Sequence, residues 1–309
     1  MIDEITLHID GKNIDIDLSK LQHIIQTDTH TKYAAYKNMR IKQNLNGITI
    51  HGSLAKLHYG ENMNNLNRDT VKQAIGTLEN DLCINLQTAI VKRIATAASI
   101  ITKDKPHEYL KLFNYKPNTK RTDTYSRGSV NLETVSFGTD KGSYQFCAYD
   151  KTAEMIEHRQ PIPALFAGSN VLRLENRIMR RRGIKDVFKK DLTAYDLFDY
   201  DTYRKLQLFL LASYKKIEKT GRTVFIDTSK NITPANIEAL QAEAFRQSHP
   251  MEYADTLQRA KEAGSITIKN LERIRASNRK NAKNYTTSDK SPLIAELDAK
   301  LENHCKCGS

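Results

Sequence analysis

Between residues 144 and 182 the hydrophobic pattern changes period twice, and no other stretch limits the fold as tightly. Residues 144–149 alternate and stop at Tyr149-Asp150-Lys151, where Thr152, Ala153, Glu154, Met155, Ile156, Glu157 and His158 take up a helical spacing. Tyr149 therefore falls at a strand end, where a side chain can face a cleft. Residues 171–178 alternate again, with Leu172 and Leu174 on one face and Arg173, Glu175 and Arg177 on the other. The chain must build a sheet that is apolar on one side and charged on the other.

A phenol beside a lysine, with a carboxylate between two arginines on a neighbouring strand, suits attack on a phosphodiester. The phenol ionises near pH 10, so a cation or base has to help it. Glu175 offers hard oxygen ligands for a divalent cation, and Lys151, Arg173 or Arg177 can offset phosphate charge. On local chemistry alone a strand-end Tyr followed by Asp-Lys is common, and a single Arg-x-Glu on a strand is more often a surface ion-pair ladder than a metal site.

Charge points to a partner. Lys and Arg number 48 against 36 Asp and Glu, a formal +12, and a polyanion, nucleic acid before membrane, is the natural complement. No apolar run approaches membrane-span length, and the start lacks the basic and apolar regions of a secretory signal. The expectation is a soluble, cytoplasmic protein with no membrane partner. Four scattered cysteines make no disulfide framework, and His304, Cys305 and Cys307 lack zinc-knuckle spacing, so the tail reads as a frayed end.

Along the chain, residues 5–10 and 14–18 suggest an N-terminal hairpin, and residues 37–41 and 47–51 a second one turned at Asn46-Gly47. Gly52 to Lys56 reads as a loop exposing backbone donors. Asn67 opens a helix with Val71, Ala74, Ile75, Leu78 and Leu82 on one face. Residues 90–100 form a long apolar strand, Pro106 starts a short helix, and strands at 129–137 and 143–149 lead to Tyr149. Helices are expected at 184–197, 203–217, 235–246, 250–263 and 267–281, and residues 280–292 read as a flexible linker. The order gives an α+β domain over 1–222 and a helical region over 223–309.

Ile50-His51-Gly52-Ser53-Leu54-Ala55-Lys56 followed by Tyr59-Gly60-Glu61-Asn62, then Val91-Lys92-Arg93-Ile94, Tyr149-Asp150-Lys151 with Glu154, and Arg173-Leu174-Glu175 resemble, in order and spacing, motifs of filamentous-phage gene II endonucleases and related plasmid initiators. The resemblance runs from about residue 33 to 220. It implies an antiparallel-sheet, HUH-like nuclease core and a rolling-circle replication initiator. In such proteins a tyrosine attacks origin DNA, leaving a 5′-phosphotyrosyl link and a 3′-OH that primes synthesis. By similarity Tyr149 is that nucleophile with Lys151 beside it, and His51 and Glu175 are ligands for Mg2+ or Mn2+. Where the family strand reads Arg-Ile-Asp, this chain has Ala95. Asp150 or His58 would have to substitute, or activity would fall. Lys56, Lys92, Arg93, Arg173, Arg177, Arg180, Arg181 and Arg182 are the expected DNA contacts. Origin DNA, single-stranded or hairpin at the nick, is the expected partner, with a host helicase and a second copy of the chain as further candidates. A mobilisation relaxase, and an origin-binding protein or repressor weakened in cleavage, are the alternatives.

Overall fold

The computed structural model describes residues 1–11, 16, 18–126, 131–219, 233–248, 250–284 and 291–307. The elements of its first part are β1 (Ile2–Asp10), β2 (Gln22–Gln26), β3 (Lys32–Tyr36), β4 (Met39–Asn44), β5 (Gly47–Ser53), α1 (Leu54–Tyr59), α2 (Arg68–Leu82) and β6 (Ile90–Thr102). Then come α3 (Pro106–Leu110), β7 (Phe113–Tyr115), β8 (Lys120–Tyr125), β9 (Leu132–Gly138), β10 (Tyr144–Asp150), α4 (Lys151–Glu157), β11 (Asn170–Ile178), α5 (Arg181–Phe188) and α6 (Tyr200–Lys215). The chain forms two compact units, and the first comprises Met1–Leu110, Asn118–Lys216 and Ala299–Ser309.

That unit is built on an antiparallel sheet in the order β2-β3-β4-β5-β1-β6-β11-β10-β9-β8. Period-two patterning assigns its faces. Ile5, Leu7, Ile48, Ile50, Ile94, Leu172, Leu174 and Ile178 are buried on one side, and the same side carries Tyr144 and Asn176. Here α5 and α6 pack: Tyr144 donates its hydroxyl to the Gly183 carbonyl at 3.2 Å and its ring meets Phe209. The α6 stripe of Tyr203, Leu206, Leu210 and Tyr214 is buried, each such side chain contributing about 1.5–3 kcal/mol. Asn67 caps α2 through a capping box with Thr70, which fixes where that amphipathic helix begins. The other side of the sheet is the charged one.

Most expected elements are present, and the differences have local causes. Residues 52–56 are not a loop: β5 runs through Ser53, whose hydroxyl caps α1, and Leu54 and Ala55 are buried. Gly52 is needed because a Cβ there would lie 2.8 Å from the Asn38 carbonyl oxygen and 2.6 Å from the Met39 sulfur. The helix expected at 184–197 ends at Phe188, with Lys189 left-handed at its cap, and resumes as a 3-10 turn over Tyr195–Phe198. The tail is not frayed: α10 (Pro292–Cys307) is helical with Leu301 and Cys305 buried. β2, β3 and β8 lack a strong apolar alternation, and the sequence pattern does not mark them. The second strand of the N-terminal hairpin lies mostly outside the described residues, as do 285–290 of the linker.

The second unit comprises Lys111–Pro117 and Ile217–Asp298. In it β7 pairs with β12 (Glu218–Lys219), followed by α7 (Pro234–Ser248), α8 (Pro250–Glu262) and α9 (Ile268–Asn284). Arg246 ties α7 to β12, reaching Glu218 at 2.9 Å and Glu243 at 2.5 Å. Among the described residues no helix is long and apolar enough to cross a membrane.

Candidate active site

Strand register assembles the charged face. Tyr149 of β10 lies opposite Arg173 of β11, which lies opposite Ser99 of β6; the next rows are Cys147, Glu175, Ala97 and Gln145, Arg177, Ala95. Directly opposed residues point to the same side, so Tyr149, Arg173, Glu175 and Arg177 share this face. Beyond β6, β1 is bulged between Ile2 and Ile5, which pair with Thr96 and Ile94. Asp3 and Glu4 thus both stand against Ala95. Across β1, Glu4 opposes Ser53 and Thr6 opposes His51.

One half of the face is a sealed polar network. Arg173, 1% exposed, donates to Asp3 Oδ2 at 2.5 Å, to the Asn62 carbonyl at 2.6 Å and to Ser99 Oγ at 3.0 Å. Ser53 Oγ donates to Asp3 Oδ1 at 2.5 Å, and Asn62 Nδ2 to Asp3 Oδ2 at 3.3 Å. Lys151, fully buried, donates to Asn62 Oδ1 at 2.7 Å and to Glu154 at 2.5 Å. Burial pushes the Asp3 carboxyl up, but Arg173, Ser53 and Lys151 outweigh it and hold the group below its usual value. Burial likewise opposes the Arg173 charge, and Asp3, Tyr149 and Glu175 overcome it, so its pKa is raised. Gly60 makes this possible by ending α1 in the left-handed region, φ +83°, which turns Glu61 and Asn62 towards the sheet.

The other half is open. Glu4 Oε1 lies 2.9 Å from Arg93 and 3.7 Å from His51 Nε2 yet accepts no hydrogen bond among the described residues. His51 Nδ1 shares a hydrogen bond with Thr6 at 2.9 Å. Arg177 donates to Glu175 at 2.9 Å and to Gln145 at 3.3 Å. The Nε atoms of Arg93, Arg173 and Arg177 are buried and have no acceptor among the described residues, a state that buried donors rarely keep without a ligand or water.

Tyr149 is half-buried, directly opposite Arg173 of the sealed half. Burial first, then the Glu175 carboxylate, raise its pKa well above 10, and Arg173 pulls the other way. The phenol is therefore held protonated, and positive charge brought near it would release the proton more easily.

The structure brings Tyr149, Arg173, Glu175, Arg177, Arg93 and His51 onto one face. It sets His51 and Glu175 three strand spacings apart, ~14 Å, each with its own partner. Among the described residues no three His, Cys, Asp or Glu cluster as a metal set. Glu4 with His51 is the better fit to a divalent cation, because a carboxylate oxygen with unused lone pairs stands beside an imidazole. Asp150 caps α4 by accepting from Ala153 N at 2.9 Å, and the His58 ring packs edge-on against Tyr59. Lys56 is half-buried on α1, and Lys92 sits at a β1–β6 irregularity with Asp10 and Arg181 as its charged neighbours. Arg180, Arg181 and Arg182 are exposed where α5 begins, and Arg181 holds Asp191 through two bonds of 2.7 and 2.8 Å. Asp3 and Glu4 are the site residues that sequence reasoning misses. Their signal is two adjacent acids interrupting an otherwise apolar-polar strand, where a bulge lets both face one side.

A family model for phage replication proteins, described as the N-terminal part of a replication-associated protein, matches residues 4–192. No curated protein matches the sequence. Among solved structures, a rolling circle replication initiator protein from Geobacillus stearothermophilus aligns with 11% identity and a TM-score of 0.42, covering 75% of this chain and 89% of that one.

Proposed function

Since the chain belongs to the replication-associated family matched over residues 4–192, we propose that it is a rolling-circle replication initiator that nicks origin DNA through Tyr149. The observation that carries this reading is the charged sheet face, where a strand-end phenol shares one side with Arg93 and Arg177, whose Nε–H groups have no acceptor among the described residues. Phosphate oxygens are the acceptors such donors suit.

Tyr149 Oη attacks phosphorus as the P–O3′ bond breaks, the phenolic proton passes to solvent, and the departing 3′ oxygen is protonated to a 3′-OH. The 5′ phosphate stays on the enzyme as a tyrosyl ester. Arg177, close enough to feel the charge of the Tyr149 phenol, holds a non-bridging oxygen and offsets the charge that grows on it, and Arg93, six residues along β6 from the Tyr149 row, holds a flanking phosphate. Lys151 is committed to Asn62 and Glu154, so it acts as a positioning residue that fixes the strand end carrying Tyr149. His51 and Glu4 would hold Mg2+ or Mn2+, which would supply Lewis-acid stabilisation of a phosphate lying at their end of the face. A host helicase and a second copy of the chain belong to the same proposal as partners.

Incubation with supercoiled DNA of the cognate replicon and Mn2+ tests the reading. A protein-linked strand, absent with Tyr149→Phe, is expected, and Ala95→Asp should raise its yield by adding a carboxylate beside Glu4. The methyl of Ala95 favours a second reading, an origin-binding protein or repressor without cleavage. Tight origin binding with no adduct from either the parent or Ala95→Asp would establish that reading instead.

A further inference from the structure

The charged face continues past His51 onto β4, β3 and β2, where no motif directs attention. Arg40 opposes His51 on one side and Ala35 on the other; Lys42 opposes Thr49 and Tyr33, and Tyr33 opposes Ile25. These side chains stand on the same side as the Glu4–His51 pair. Their neighbours Tyr36, Met39 and Ile41 are buried on the reverse, so the ribbon is anchored from behind. Tyr33 is 41% exposed and Ile25 59%, and the Lys42 ammonium lies 5.4 Å from the Tyr33 ring centroid.

The charge of this ribbon is one-sided. Asp28 is the lone acid between Ser19 and Lys56, and its carboxylate is taken by the backbone N–H groups of His30 and Thr31 at 2.8 and 2.7 Å. Arg40 has no ion-pair partner among the described residues. An open aromatic ring with an aliphatic neighbour, flanked by cations on one sheet face, suits unpaired bases, whose faces are free to stack while their phosphates lie along the basic side chains. A duplex buries those faces against each other.

We infer that the β2–β4 ribbon is a single-stranded DNA platform, with bases stacking on Tyr33 and Ile25 and phosphates on Arg40 and Lys42. It leads to the Glu4–His51 pair, with two strand spacings, ~10 Å, from Tyr33 to the His51 strand. The inference deepens the nicking proposal and rests on it for the direction of the strand, since the ribbon then holds one flank of the cleaved sequence.

Anisotropy with a fluorescent oligo-dT and with a duplex of equal length, using the full chain, tests it. Tyr33→Ala should weaken oligo-dT binding about ten- to a hundredfold, Tyr33→Phe should restore it, and duplex affinity should hold. Arg40→Ala and Lys42→Ala should each lower the salt slope for single strands by about 0.7. Unchanged oligo-dT affinity in Tyr33→Ala overturns the platform. So does an equal loss for duplex, or a change from dimer to monomer in sedimentation with DNA binding intact, which would make the ribbon an interface between copies. The adduct assay separates the two proposals. Adduct formation with an indifferent Tyr33 sinks the platform alone, and Tyr33-dependent binding without any adduct sinks nicking alone.

Discussion

Arg173 and Arg93 are arginines on one face of one sheet, each paired to a β1 carboxylate at 2.5 and 2.9 Å, and they live in different media. The Arg173–Asp3 side chains are 1% and 7% exposed, whereas those of Arg93 and Glu4 are 25% and 29% exposed. In the first pair the terminal nitrogens of Arg173 and both Asp3 oxygens find partners within the protein, in Asn62, Ser99 and Ser53, and Arg173 Nε alone has no acceptor among the described residues. In the second, Glu4 Oε1 and Arg93 Nε remain without hydrogen bonds. The sealed pair fixes geometry, and the open pair keeps capacity for a ligand. The nucleophile Tyr149, directly opposite Arg173, gets its position from the sealed pair, and the partly paired groups along the same face are left for substrate.

The largest expected effect breaks the sealed half. Arg173→Met leaves Asp3 charged and buried without its partner, and should cost about 3–5 kcal/mol in urea unfolding. Arg93→Met, at the open pair, should cost under about 1 kcal/mol. Equal losses would show that the two halves do not differ as the burial implies.

What is legible in the sequence follows the same division. Strands β5, β6, β10 and β11 and helices α2, α4 and α6 are readable because their apolar periods are strong, and the charged face is readable from Arg173, Glu175 and Arg177. The links between motifs are not. Asp3, Ser53, Asn62, Lys151 and Arg173 come from distant parts of the chain and meet through Asp3 and Asn62, and no spacing rule connects residues that a sheet register brings together. Glu4 is hidden by the bulge, which breaks the alternation that would otherwise give its face. The α10 tail reads as frayed because its two cysteines and charged residues mask the helical spacing of Leu297, Leu301 and Cys305, all buried.

That tail carries the next effect. Burial, then the N-terminal amine and Arg173, lower the His304 pKa to about 4 from an ordinary 6.5. The fold therefore prefers neutral His304. Its contribution is complete above pH 6.5 and is lost as pH falls towards 4, by up to about 3 kcal/mol at one proton's worth of slope. Urea midpoints at pH 7.5 and 5 should fall further for the parent than for His304→Gln. An identical fall in both would assign the pH dependence to other groups.

The smallest change in stability tests the open half most sharply. Glu4→Gln keeps the size of the side chain and removes its charge, so Arg93 loses a partner that it meets only at a half-exposed site, worth under about 1 kcal/mol. The fold should hold and the melting temperature without metal should barely move. With Mn2+ present the parent should gain stability in proportion to occupancy, and Glu4→Gln and His51→Ala should lose most of that gain. Glu175→Gln, three strands from His51 and tied to Arg177, should keep it. If Glu175→Gln abolishes the response and Glu4→Gln does not, the cation belongs on β11 beside Tyr149, and the open pair at Glu4 is a phosphate site alone. The variant that costs the fold least thus decides which end of the face holds the cation.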